Sequence, residues 1–118
     1  MSSSDPRQHY KDILDAIEAI ESFTEGMNFE AFRTDPKTVA AVERKLLQIA
    51  EAAVRLRGQP LPEQPWRNIR GMGNWLRHQY DRVSLDILWS TVSQDLPALK
   101  AIASQALGAA RKPQTSEQ

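Results

Sequence analysis

Cysteine is absent from the sequence, which excludes disulfide bonds, cysteine-based zinc sites and a thiol nucleophile. An excess of charge of one sign is also lacking, because 15 Lys and Arg balance 15 Asp and Glu. This balance excludes a generally basic nucleic-acid coat, so any nucleic-acid site must be local. No apolar run approaches the roughly 20 residues that span a bilayer, and the first residues lack the apolar core of a secretory signal. We therefore expect a cytoplasmic protein with no membrane partner.

Glycine is scarce, with five in 118 residues, and glycine-rich phosphate-binding motifs do not occur. The sequence has only two His, so we expect neither a metal site nor a cofactor. Apolar and polar residues do not alternate with period two over the length of a strand, so the sequence does not predict strands. Apolar residues instead recur at spacings of three and four, which is typical of amphipathic helices. We expect an all-α, up-and-down bundle of four to five helices over residues 1–110, with 111–118 as a flexible tail.

Two Asp-Pro pairs predict helix starts, because Asp caps a helix and Pro suits its first turn. The pair Asp5-Pro6 begins a first helix that should end within 23–26, followed by a short apolar connector or single helical turn at 27–32. The pair Asp35-Pro36 begins a second helix, which continues to Gly58.

Three prolines within residues 58–65 predict a rigid loop, after which a third helix should run from 65 or 66 to about 79. Ser84 is placed to cap a fourth helix. Asp95 is expected to be a cap or turn residue, and Pro97 either kinks the fourth helix or begins a new segment.

The densest polar and aromatic cluster is the segment 66–80, which holds three Arg, two Trp and one His. At about 100° per residue, Asn74 and His78 lie roughly 40° apart on a helix, so the amide can orient the imidazole. An oriented His is a candidate acid or base near neutral pH. The alternative is that His78 only ends a helix, where a cation complements the dipole. The other histidine, His9, is expected on the surface of the first helix.

The arginines of this segment form the only concentrated basic stretch of the sequence. On a shared face, Arg67, Arg70 and Arg77 would make a local phosphate site, because guanidinium offers a planar fork of donors. Arg70 and Arg77 are therefore candidate ligands for RNA or phosphate. The alternative is a solvated helix face.

Several motifs of this sequence, taken in order, resemble the HepT-like branch of the HEPN helical domains. They are the G-M-x-N segment at 71–74, H-x-Y at 78–80, V-x-L-x-I-L-W at 83–89 and D-L-P-x-L at 95–99. Residues 12–17 and the Phe23-Thr24 pair are also similar to the first helix of that family. The resemblance covers most of the C-terminal half and part of the N-terminal half.

The resemblance implies a small helical homodimer that acts as a metal-independent endoribonuclease. It further implies a toxin paired with a minimal nucleotidyltransferase (MNT) antitoxin. HEPN domains carry an Arg-x4-His motif whose reactive side chains come from two protomers at the dimer interface. His78 matches the histidine of this motif and Asn74 the polar residue after its arginine, whereas Tyr80 matches the tyrosine that the antitoxin modifies with adenylate.

The sequence departs from the family pattern at Gly73, which stands where the motif has arginine. Because the replacement removes a cation that would stabilise phosphate charge, we expect impaired cleavage of RNA. The alternative is a HEPN protein without catalysis that binds a nucleotidyltransferase partner or RNA. A helical interaction module with no nucleic-acid role is the third possibility.

Overall fold

The computed structural model describes residues 5–56, 63–78 and 84–111, and within these ranges the chain forms helices and short connections but no strand. The helices are α1 (Pro6–Phe23), α2 (Phe29–Arg33), α3 (Pro36–Val54), α4 (Glu63–His78), α5 (Leu85–Ser90) and α6 (Leu96–Arg111). A π-helical turn, Thr91–Asp95, joins α5 to α6 without a break. The all-α class predicted from the sequence is confirmed.

Both Asp-Pro pairs begin helices, as predicted. The Asp5 carboxylate accepts a hydrogen bond from the Arg7 amide at 3.0 Å, and Asp35 accepts one from the Thr38 amide at 3.1 Å. These bonds satisfy amides of the first helical turn, which have no partner within the helix. Each cap therefore determines where its helix begins.

Three helix boundaries differ from the predictions. Helix α3 ends at Val54 and does not continue to Gly58. Helix α4 already begins at Glu63, so Pro65 lies in its first turn, where the missing amide costs no helical hydrogen bond. Ser84 occupies the N-cap position of α5, but its side chain makes no capping hydrogen bond. Pro97 was expected either to kink the fourth helix or to begin a new segment. It lies in the first turn of a separate helix, α6, which begins at Leu96, one residue before the proline.

The core forms where α1 packs against both α3 and α6, and α3 also contacts α4. Glu21 near the end of α1 accepts a hydrogen bond at 3.0 Å from the Lys100 amine, near the start of α6, so these helices run in opposite directions. The apolar stripes of the three helices are fully buried, among them Ile13, Ile17, Ile20, Val42, Leu46, Ile49 and Leu99. The 3.6-residue period of these stripes is what directs them to one side.

The connector between α1 and α3 contains the short helix α2. Asn28 caps α2 by accepting a hydrogen bond from the Ala31 amide at 2.9 Å. Phe32 of α2 is fully buried, and its ring centroid lies 5.0 Å from that of Trp89 in α5. One aromatic side chain therefore ties this connector to the core.

His9 contradicts the expectation of a surface position, because only 5% of its surface is exposed. It lies beside the buried Tyr10 and one turn before Ile13, on the side of α1 that packs into the bundle. The packed side of α1 is wider than its apolar stripe, so His9 is buried because of how the helices pack and not because of its own polarity. Within the described ranges, no helix has both the length and the apolar character needed to cross a bilayer.

Candidate functional site

Helix α4 has one buried side and one exposed side. Ile69, Met72 and Leu76 recur at spacings of three and four and are buried. Gly73 is buried next to them. The backbone of this helix is therefore fixed by packing against the bundle, which gives the opposite side a defined orientation.

The exposed side of α4 carries two of the predicted site residues, Arg70 and Asn74. Arg67, Arg70, Gly71 and Asn74 are all exposed. The backbone positions of Arg77 and His78 continue the same helix, with His78 one turn after Asn74. The predicted spacing of Asn74 and His78 on one helix face is thus present. The side chains of Arg77 and His78, and Tyr80 as a whole, lie outside the described part of the chain.

Gly73 and His78 occupy different sides of α4. Five residues at about 100° each amount to an angle of roughly 140° around the helix axis. The Cα atom of an arginine at position 73 would therefore lie on a different side of α4 from the Cα atom of His78. Within one protomer this geometry separates the two positions that correspond to the motif.

A cavity of about 400 Å³ lies between α4 and the segment formed by α5 and the π-helical turn. Its walls include Arg67, Asn68, Gly71 and Met72 of α4, together with Ile87, Thr91 and Asp95 from the other side. Ile87 is 52% exposed, so the cavity opens to solvent beside an apolar side chain. The volume lies within the range of ordinary small-molecule sites, which combine apolar walls with a few polar groups.

A polar contact spans this cavity. The Asn68 amide donates hydrogen bonds to both carboxylate oxygens of Asp95, at 3.1 Å each. Asp95 is the last residue of the π-helical turn, and Asn68 lies in the second turn of α4. The pair therefore connects the two walls of the cavity and orients the Asp95 carboxylate.

The π-helical turn contains side-chain hydrogen bonds to the preceding backbone. The Thr91 hydroxyl donates to the Ile87 carbonyl at 3.0 Å, and the Ser93 hydroxyl donates to the Trp89 carbonyl at 2.7 Å. A π-helical turn inserts one extra residue into a helix and is frequent at functional sites. Here it shifts the register of the residues that line the cavity, among them Thr91 and Asp95.

Sequence reasoning missed the cavity and the Asn68–Asp95 contact. Asp95 was expected to be a cap or turn residue, and it does end a turn, but its partner lies 27 residues earlier in the chain. Such a pairing depends on how α4 and the π-helical turn pack, which no local pattern encodes. The sequence shows only that Asn68 lies inside the basic segment 66–80 and that Asp95 directly precedes the Leu-Pro pair, and neither fact indicates that the two side chains meet.

Comparison with known proteins finds similarity to one family. A family model described as ribonuclease HepT-like matches residues 13–106. The chain is 41% identical over 97 residues to the "Probable ribonuclease HepT" of Thermococcus cleftensis, a match that covers 80% of this chain and 88% of that protein. It is 33% identical over 98 residues to a "Putative RNase" of Caldanaerobacter subterraneus subsp. tengcongensis, a match that covers 80% of this chain and 88% of that protein. It is also 33% identical over 100 residues to a "Putative RNase" of Methanocaldococcus jannaschii, a match that covers 82% of this chain and 83% of that protein. No solved structure matches the chain.

Proposed function

Because the chain belongs to the HepT-like ribonuclease family, we propose that it is an endoribonuclease that cleaves RNA without a metal ion. The observation that carries this proposal is the similarity to relatives named as ribonucleases, which extends over four-fifths of the chain. The exposed polar and basic side of α4 supports it, since that side offers the residue types that phosphodiester cleavage needs.

In the proposed reaction, His78 removes the proton of a ribose 2′-hydroxyl, and Asn74 holds the imidazole in the required orientation. The 2′-oxygen then attacks the adjacent phosphorus, and the bond from phosphorus to the 5′-oxygen of the next nucleotide breaks. The 5′-oxygen takes a proton from water and His78 returns its proton to the solvent, so the products are a 2′,3′-cyclic phosphate and a 5′-hydroxyl. Arg70 and Arg77 bind the phosphates of the strand. Because the 2′-hydroxyl is the nucleophile, DNA is not a substrate.

Gly73 weakens this reaction in our proposal. A cation at the motif position would stabilise charge on the five-coordinate phosphorus, and loss of one such group typically costs about 10² to 10³ in rate. The protein is then a slow ribonuclease rather than an efficient one.

The proposed active unit is a homodimer with His78 at the interface, which the angle of roughly 140° between positions 73 and 78 supports. The proposed partner is an MNT-type nucleotidyltransferase, with which the chain forms a toxin and antitoxin pair in the cytoplasm. Tyr80 is the proposed target of adenylate transfer. No cofactor takes part.

Gly73 also favours a second candidate function. A protein that lacks the motif cation and retains the fold can bind a nucleotidyltransferase or RNA without cleaving it. The two candidates differ in one observable, which is cleavage.

The test is cleavage of labelled single-stranded RNA by the purified protein in EDTA. We expect slow cleavage by the wild type, none by His78→Ala, and a gain of about 10² to 10³ in Gly73→Arg. Arg44→Ala, which removes an exposed arginine from α3, is the control and should cleave like the wild type.

Two results would contradict the proposal. Cleavage that persists in His78→Ala would remove the proposed base, and inactivity of both the wild type and Gly73→Arg would favour the candidate without catalysis. Inactivity of the wild type with a gain in Gly73→Arg would identify a toxin that has lost its activity through this single position.

A further inference from the structure

We propose that the cavity between α4 and the π-helical turn binds a guanine base of the RNA substrate, at a nucleotide that flanks the cleaved phosphate. This inference rests on the proposed ribonuclease function and names a base that the site prefers. Its basis is the shape of the cavity, the carboxylate in its wall and its position along α4.

The cavity has the size and walls that a base requires. Its volume of about 400 Å³ exceeds that of a single base, and Met72 and Ile87 supply apolar surface. Gly71 leaves further room, because a Cβ atom placed on it would meet no atom within 4 Å. A planar ring can therefore lie against the helix at this point, in contact with these two aliphatic side chains.

Asp95 gives the cavity its preference among bases. Its partly buried carboxylate lines the cavity and is oriented by the two hydrogen bonds from Asn68. The Asn68 Nδ2 atom lies 3.1 Å from both oxygens and so occupies the face of the carboxylate that two parallel donors would use. A base that binds at this face takes the place of the Asn68 amide, which turns away from Asp95. Guanine is the base whose Watson–Crick edge presents two adjacent donors, N1–H and the 2-amino group, which match the two oxygens of a carboxylate. Adenine, cytosine and uracil each place an acceptor next to their donor on that edge.

The position along α4 makes this a flanking subsite. Gly71 lies seven residues before His78 in the same helix. At 1.5 Å per residue this separation is about 10 Å, which is comparable with the distance from a base to a neighbouring phosphate of the same strand. Arg67, Gly71 and Asn74 follow one another along the exposed side, so a strand that runs along α4 passes the cavity before it reaches position 78.

The test of this inference uses nucleotides that cannot be cleaved. Guanosine, inosine and adenosine 5′-monophosphates are titrated separately into the protein, and binding is followed through the backbone amide of Gly71 by nuclear magnetic resonance. Inosine is the sharpest comparison because it lacks only the 2-amino group of guanine. We expect the guanosine nucleotide to bind about tenfold more tightly than the other two, as is usual for a two-bond contact to a base.

Two variants and a matched control locate the site. Asp95→Asn keeps an oxygen for Asn68 but loses the second acceptor, so the preference for guanosine over inosine should fall to near one. Gly71→Leu should abolish binding by filling the cavity, and it leaves the helix intact because Leu favours helices. Gly108→Leu makes the same change at an exposed glycine of α6 that also has open space, and it should bind like the wild type.

The outcomes separate this inference from the proposed function. Equal affinities for the three nucleotides, or a guanosine preference that survives in Asp95→Asn, would overturn the base subsite even if RNA is cleaved. A guanosine preference that depends on Asp95, in a protein that cleaves no RNA as wild type or as Gly73→Arg, would leave the subsite standing and remove the ribonuclease.

Discussion

Gly73 is the residue on which the rate of the proposed reaction depends most. The chain belongs to the HepT-like ribonuclease family, and the resemblance of its motifs to those of HEPN domains aligns Gly73 with the motif arginine. Gly73 is also buried beside the packed side of α4. An arginine introduced there must extend past the edge of the packed side before its guanidinium reaches phosphate. The gain expected in Gly73→Arg therefore depends on that side chain leaving the bundle without disturbing Met72 or Leu76.

Asp35 supports a prediction about pH. Hydrogen bonds from the Thr38 amide and hydroxyl, at 3.1 and 2.9 Å, hold the pKa of this carboxyl below its ordinary value. Because the pKa is lower in the folded than in the unfolded protein, the carboxylate stabilises the fold above the unfolded value of about 3.9. This contribution is lost as the pH falls through the folded pKa. Asn can cap the helix but does not titrate in this range.

We therefore expect Asp35→Asn to show a smaller loss of thermal stability than the wild type between about pH 5 and pH 2. Asp35→Ala should melt at a lower temperature than either protein at pH 7, because it lacks the cap. Melting is measured by circular dichroism across this range. Identical pH profiles for wild type and Asp35→Asn would show that Asp35 does not contribute to the acid sensitivity.

At the scale of elements, helix α2 depends on a single buried ring. Phe32 has no exposed surface, and its only mapped aromatic contact within the described residues is Trp89 of α5. A helix of five residues is not stable by itself, so its position depends on this packing. The contact also supports the helix whose continuation forms one wall of the cavity.

Phe32→Ala should lower the free energy of unfolding by about 3 to 5 kcal/mol, the usual cost of removing a buried aromatic ring. Phe23→Ala is the matched control, because Phe23 is 38% exposed at the end of α1, and its replacement should cost less than about 1 kcal/mol. Urea denaturation of both variants measures the difference. Equal losses in the two variants would mean that α2 is not held by Phe32.

The segment from α5 to α6 shows what local patterns do and do not predict among elements. The apolar period indicates helix on both sides of Pro97, and helix is present on both sides. The π-helical turn is not predicted, since the extra residue leaves the apolar spacing nearly unchanged. In this turn the hydroxyls of Thr91 and Ser93 donate hydrogen bonds to the preceding backbone. The carboxylate of Asp95, its last residue, accepts a hydrogen bond from Asn68 of α4.

At the scale of the whole molecule, we predict a homodimer. Positions 73 and 78 lie on different sides of α4, and in the proposed function the site is shared between two copies of the chain. Size-exclusion chromatography with light scattering at micromolar concentration should give twice the mass of one chain. The mass of one chain under these conditions would contradict both the dimer and the shared site.

The all-α class and the starts of α1 and α3 follow from the sequence alone, because caps and a 3.6-residue apolar period act within a few neighbouring residues. The sequence also determined the family, through motifs spread over several helices. Only the tertiary structure decided that His9 is buried, that Asn68 meets Asp95, and that a cavity opens beside Gly71. These features arise where separate helices pack against each other, and the residues that form them are too far apart in the chain for any local pattern to join them.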